Sequence, residues 1–350
     1  HGEALRLYQQ LGDAQNIAML HHELGILERA AGNPDAALAH YRSALIYWQQ
    51  VGDPGPWAST LNNVGVIHCS RGEYEKALQV LYEALAKARE LRNPRVEGWV
   101  LASLADAQRD AGDYEGALSH YQQAIEAAQV AQEGMLITYI LSAMGYLYIC
   151  LGDLTHAEEF SQRAWERAEE GSPYERGICL TTLGILARAA GRLDASRTQL
   201  AEACRLLHES GMAQELAWAQ LQLAISHFQA GDREQAQTLT RQAVDVTQKS
   251  GTTDGLAAVG SAAIPLLRHL AKADRTARHL VHLIVEREEG RAGRRAAPLG
   301  VKETILRLSI HAFGQPRVYL DGTLVSNSRW ATAKARELFF CLLDHPEGLR

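Results

Sequence analysis

The sequence predicts an all-α solenoid of stacked helical hairpins, followed by a short α+β segment. Three observations carry this expectation. Glycine recurs at positions 32, 72, 112, 152, 191 and 231, in steps of 40, 40, 40, 39 and 40 residues, and self-similarity at a fixed period is the mark of a repeat architecture. Small residues keep the same register. Gly25, Gly65, Ala105, Gly145, Gly184 or Ala224 stands seven positions before each rung, and Ala44, Ala84, Ala124, Ala164, Ala203 or Ala243 twelve after it. Beyond residue 303 the hydrophobic period changes from helical to alternating.

Each unit reads as two amphipathic helices and two turns. The rung glycine follows a helical stretch, such as Leu61 to Arg71, and suits the left-handed residue that ends a helix because it has no Cβ to clash. Asn33, Glu73, Asp113, Asp153 or Asp232 comes next, where a polar or acidic side chain favours the free N–H groups of a new helix. Pro34 fits the first turn. The second helix ends at Gly12, Gly52, Asn93-Pro94, Gly134, Gly171, Gly211 or Gly251. A further alanine stands five after most rungs (Ala37, Ala77, Ala117, Ala157, Ala236), with Ser196 the exception. Small residues inside helices mark close crossings, so Ala124→Leu is expected to lower the melting temperature.

The chain opens inside a unit, with Ala4 one period before Ala44, so residues 1–251 hold a half unit plus six full units. Residues 252–289 read as a degenerate capping repeat, with Ala277 near the expected alanine and Pro265 as a kink. Residues 290–303 read as a basic linker. In 304–350, Leu306, Leu308 and Ile310 alternate with Arg307, Ser309 and His311 as a half-buried strand. Val318 to Leu320 form a second strand, Asp321-Gly322 a hairpin turn and Leu324-Val325 the return. Trp330 then precedes a helix from Thr332 to Asp344, stopped by His345-Pro346. A segment this short lacks a full core, so 304–350 is expected to be unstable alone.

Composition narrows the function classes. No run of about 18 apolar residues is seen, so no membrane span is expected. The five cysteines (69, 150, 179, 204, 341) are scattered, with no C-x-x-C, as expected of reduced thiols in a cytoplasmic protein. Residues 1–286 carry a net charge of −10 and 287–350 a net +4. "GLAAVGS" (255–261) has the two glycines of a phosphate loop but no lysine, and "HHELG" (21–25) lacks the second histidine of a zinc helix. His279 and His282, with His269 nearby, have no carboxylate or cysteine at matching spacing. No Ser/His/Asp or Cys/His set stands out. No catalytic residue, cofactor or metal site is assigned.

"GEYEKALQVLYEAL" (72–85) and "GDYEGALSHYQQAI" (112–125) resemble the second helix of the tetratricopeptide repeat. The resemblance covers about residues 1–250. It departs in period, 40 residues rather than 34, and lacks the terminal proline, which looks like the longer-helix version found in large bacterial regulators. It implies a right-handed superhelix whose first helices line the concave face. Counting along those helices then puts His22, Arg29, Asn62, Trp99, Asp106, Arg109, Tyr139, Tyr146 and Arg188 inward. Aromatics and arginines there would anchor a protein, peptide or small inducer. The alternative for Trp99, Tyr139 and Tyr146 is that they fill gaps between helices. Trp99→Ala or Arg109→Ala is expected to weaken partner capture without unfolding the chain.

The final segment resembles the start of an OmpR-type winged-helix DNA-binding domain of the antibiotic-regulatory-protein kind. The matching residues are "FG" (313–314), Val318, "DG" (321–322), Trp330, "KARELF" (334–339) and "HPEG" (345–348). In that family the positioning helix, recognition helix and wing follow, so no base-reading residue can be named here. Arg329, Lys334 and Arg336 would at most touch DNA phosphates, the alternative being solvated surface charges. DNA would be bound only through the completed domain, and this chain alone is expected to show no sequence-specific binding. Regulators of this kind often carry an ATPase upstream of the repeats. The leading expectation is therefore the ligand- or partner-sensing region of a bacterial cytoplasmic transcriptional activator, with self-association left open. The rival is a protein–protein interaction scaffold without DNA-linked output. An enzymatic activity would lie outside this chain.

Overall fold

The computed structural model describes residues 2–272, 274–295, 308–311, 317–320 and 323–324. Two compact units divide the chain, His1–Arg291 and Ala292–Arg350. In the first, α1 (Gly2–Leu11) precedes six hairpins. They are α2 (Ala14–Ala30) with α3 (Pro34–Val51), α4 (Pro54–Ser70) with α5 (Tyr74–Leu91), and α6 (Pro94–Ala111) with α7 (Tyr114–Val130). The next three are α8 (Gly134–Leu151) with α9 (Leu154–Ala168), α10 (Pro173–Ala189) with α11 (Leu193–Glu209), and α12 (Ala213–Gln229) with α13 (Arg233–Lys249).

The rung glycines end the first helices as expected. All six adopt φ between +74° and +88°. Each donates its N–H to the carbonyl three residues back, and the next residue reaches five back, as in Gly112 to Arg109 (3.0 Å) and Asp113 to Gln108 (2.8 Å). This double closure satisfies carbonyls that the helix end leaves open. Asp113, Asp153 and Asp232 then accept from the N–H three residues on and cap the second helix. Asn33 and Glu73 do not cap: Asn33 Nδ2 donates to Glu28 (2.9 Å), and Glu73 takes His68 (2.5 Å) and Lys76 (2.9 Å).

The second set of turns keeps a 40-residue ladder of its own, but not through glycine alone. Gly12, Gly52, Gly211 and Gly251 have positive φ, and so do Arg92 (54°) and Gln132 (56°). Gly134, expected to end α7, instead opens α8. Gly171 is not in the left-handed region. Here the single 39-residue step is absorbed: α9 has 15 residues where the other helices of the six hairpins have 17 or 18, and a Ser172–Glu175 capping box starts α10.

The four glycines that stand seven before a rung each face a side chain nine after it, within one hairpin. A Cβ at Gly65 would lie 2.5 Å from Leu81 Cγ, and one at Gly184 2.5 Å from Leu200 Cγ. At Gly25 it would strike the Tyr41 ring, and at Gly145 the Ser161 hydroxyl. Tyr41, Leu81, Leu200 and Ala124 are fully buried.

Three sequence expectations need correction. Helix α8, with 18 residues and a mean hydropathy of 1.7, is long and apolar enough to cross a membrane by composition. Tyrosine, serine and glycine interrupt its apolar run in the sequence, and ten of its residues are buried in the solenoid. Pro265 does not kink a helix. The chain forms 3-10 turns at Thr253–Val259 and Ser261–Ala263, and Pro265 stands in the first turn of α14 (Ile264–Leu270), where a missing N–H costs nothing. Finally, α15 (Arg275–Arg295) takes in residues 290–295 of the expected linker.

In the second unit, β1 (Leu308–His311), β2 (Arg317–Leu320) and β3 (Thr323–Leu324) form an antiparallel sheet in that order. Leu308 pairs with Leu320 and Tyr319 with Leu324. The expected helix from Thr332 to Asp344, and Arg329, Lys334, Arg336 and Cys341, lie outside the described residues.

Candidate partner-binding face

First helices from distant hairpins share one neighbour. The 3-10 stretch Thr253–Val259 packs on α4 and α12, and the Tyr146 hydroxyl of α8 donates to the Ala258 carbonyl at 3.3 Å. Through this segment α4, α8 and α12 face a common interior.

The centre of this interior is a polar cluster built by α6, α7 and α8. The Asp106 carboxylate accepts from Arg109 Nη1 (2.7 Å), from the Tyr121 hydroxyl (2.5 Å) and from the Tyr139 hydroxyl. Arg109 also donates to Asp110 (2.9 Å) and to the Tyr121 hydroxyl (2.8 Å), and lies over the Tyr146 ring at 5.2 Å. Side chains of Asp106 and Arg109 are only 18% and 14% exposed. Burial raises the Asp106 pKa, opposed by Arg109 and the two hydroxyls. Burial works against the Arg109 charge, yet Asp110, Tyr121 and Asp106 together hold its pKa well above the ordinary value. Burial also drives Tyr121, Tyr139 and Tyr146 upward, so these phenols remain hydrogen-bond donors. The cluster is fixed before any partner arrives, which limits the ordering cost of binding.

Aromatic rings extend the cluster. Trp99 stands 6.4 Å from the Tyr139 ring, and Trp218 meets Tyr146 edge-on at 5.1 Å. The structure thus brings Trp99, Asp106, Arg109, Tyr139 and Tyr146 together. Arg188 is buried on α10, where it donates to the Gln222 carbonyl (2.9 Å) and side chain (2.5 Å) and to Ser226 (3.4 Å). Burial lowers its pKa to about 10, partly offset by Tyr146.

His22, Asn62 and Arg29 make no bond to this cluster. His22 bonds Thr60 of the neighbouring first helix at 2.8 Å, so it belongs to the stacking seam, and burial lowers its pKa. The Asn62 side-chain oxygen is buried without a hydrogen-bond partner. Arg29, in the register of Arg109 and Arg188, is exposed near the Tyr41 phenol and, with Asp106, acts on the Tyr174 phenol of α10. Trp218 was missed, although it stands in the same register as Trp99 and Tyr139, 13 residues before a rung. Cys69 was missed likewise: it shares the register of Arg109 and Arg188, and burial followed by Asp110 and Asp106 raises its thiol pKa. The three C-terminal histidines diverge, His279 to Asp254 (2.9 Å), His282 to Glu286 (3.2 Å) and His269 to the Phe228 ring (5.6 Å).

No curated protein matches the sequence. The family model of the MalT-like TPR region matches residues 56–221, and that of the tetratricopeptide repeat matches 18–43 and 217–242. Among solved structures, a Rap protein complexed with Competence and Sporulation Factor has a TM-score of 0.63 at 17% identity, over 79% of this chain and 76% of that one. The Rap conjugation gene regulator of plasmid pLS20, in complex with the Phr* peptide, has a TM-score of 0.61 at 13% identity, over 83% and 78%. Aspartyl phosphate phosphatase F from Bacillus subtilis has a TM-score of 0.56 at 14% identity, over 85% and 76%. The repeating hairpins of this chain are therefore a tetratricopeptide-repeat region.

Proposed function

We propose that the repeat region captures a peptide or protein segment in its interior, and that this is the sensing part of a bacterial transcriptional regulator. One observation carries the reading: a preorganised cluster of Asp106, Arg109 and Tyr139 on α6 and α8, braced by Tyr121 of α7 and flanked by Trp99, Tyr146 and Trp218. Aromatic and arginine anchors beside a satisfied polar network are what peptide recognition needs. The two Rap structures that hold a named factor or peptide support capture by this fold. The match to a MalT-like region, together with the winged-helix motifs of 313–348, supports a link to transcription. The DNA-binding domain, an upstream ATPase and a cytoplasmic setting belong to this proposal.

A displayed peptide library selected against the whole chain tests capture. Selected peptides are expected to lose affinity for Trp99→Ala; equal binding to both chains would place the partner elsewhere. The codons after Arg350 test the DNA-linked output. A helix-turn-helix and a hairpin are expected within about 60 residues, whereas a stop codon would favour a scaffold.

A further inference from the structure

The interior of the solenoid is already occupied by its own chain. Where a seventh unit would continue, a first helix is due along α12 from about residue 253. Instead the chain forms a seven-residue 3-10 stretch, a second short turn and the brief helix α14. A 3-10 run of this length is uncommon, and its hydrogen bonds are poorer than those of an α-helix. The break turns residues 252–260 inward. Leu256, Ala257 and Val259 become 4%, 2% and 6% exposed. Gly255 passes so close to α4 that a Cβ would collide with the Ser70 carbonyl oxygen and stand 3.0 Å from its carbonyl carbon. Ala258 takes the Tyr146 hydroxyl, the same ring that Arg109 and Trp218 flank. Gly251 (φ +63°) and Gly260 (φ +77°, ψ −165°) bound the segment in conformations that suit glycine, which makes them its natural hinges.

We infer that residues 252–260 are a tethered occupant of the partner face, which a short peptide of small apolar residues around a glycine displaces. The inference rests on the interior being the partner site. Its chemistry follows from what the segment uses. It offers a backbone carbonyl to Tyr146, a Cβ-free residue against Ser70, and small side chains for the space beside α12. A larger side chain at position 255 would not pass α4. The tether supplies an effective concentration of about millimolar, so an equivalent free peptide binds the intact chain weakly.

The test uses the whole chain with Gly255→Ala, whose methyl group meets backbone that has no rotamer to move. Hydrogen exchange in 252–260 is expected to accelerate while the six hairpins keep their protection. A labelled peptide of sequence TTDGLAAVG is expected to bind this variant at least about tenfold more tightly than the parent chain. Tyr146→Phe in the same background should weaken that binding. Leu256→Asp, which expels the segment by charge rather than by bulk, should reproduce the result. Unchanged protection of 252–260, equal peptide binding to both chains, or loss of protection throughout the hairpins in both variants would overturn the inference. A library-selected peptide that needs Trp99 while 252–260 stays protected would overturn it and leave the proposed function standing. Tight TTDGLAAVG binding beside a stop codon after Arg350 would do the reverse for the transcriptional role.

Discussion

Arg92 and Gln132 occupy left-handed positions that glycine fills elsewhere in the same ladder. A side chain there strains the backbone by about 1–2 kcal/mol, and glycine's greater freedom in the unfolded chain returns part of that. Arg92→Gly and Gln132→Gly should therefore each raise stability by about 0.5–1 kcal/mol, read as a higher urea midpoint; a lower midpoint would contradict the assignment. The sequence betrayed the ladder wherever sterics leave glycine as the comfortable choice, and hid it where an affordable strain let arginine or glutamine stand in. It also hid the residues that fill each glycine's gap. Tyr41, Leu81, Ser161 and Leu200 share one register but no chemistry, so no repeat shows. Histidines make a second residue-scale prediction. Burial lowers the pKa of His21, helped by the facing His40, and of His22 and His120 against Glu23 and Asp113. Below the unfolded value of about 6.5 the unfolded chain binds more protons than the folded one. Stability present above that pH should fall between about pH 6.5 and 5. A denaturation free energy no lower at pH 5.5 than at 7.5 would contradict it.

Helices α6, α7 and α8 meet through charge as well as through small residues, and this changes what a mutation can test. Arg109 neutralises two neighbouring carboxylates, Asp106 and Asp110. Removing one partner of a buried ion pair costs about 3–5 kcal/mol, so Arg109→Ala should lower the melting temperature markedly rather than leave the fold intact. Trp99 makes no hydrogen bond in this cluster and is half-buried at its edge. Trp99→Ala should disturb partner capture more than the cluster. Equal destabilisation by both would make Trp99 a core residue. Element boundaries were legible where the helix ends carry their own chemistry, as at Asp113 and the Ser172–Glu175 box. They were not legible past Gly251, where 3-10 turns and α14 stand in place of the expected first helix and α15 runs on through residue 295. There helix continuation competes with the contact of residues 253–259 against α4, α8 and α12, a tertiary effect that local pattern does not encode.

At the scale of the molecule, stacking hairpins makes stability a sum of neighbour interfaces and leaves one interior lined by first helices. The period places Trp99, Asp106, Arg109, Tyr139 and Tyr146 on one helical face, and the structure brings those five side chains together. It failed for His22, which the stacking seam claims through Thr60. Which face of a first helix meets its neighbour and which meets the lumen depends on superhelical curvature, and curvature is set by packing rather than by register. The central claim, capture of a partner in this interior, is tested most directly by hydrogen exchange of the whole chain with and without a library-selected peptide. Added protection is expected in residues 99–110 and 139–146, with exchange in 252–260 rising as the tethered segment is displaced. Protection confined to the outer helices α5, α7 and α9 would contradict the account.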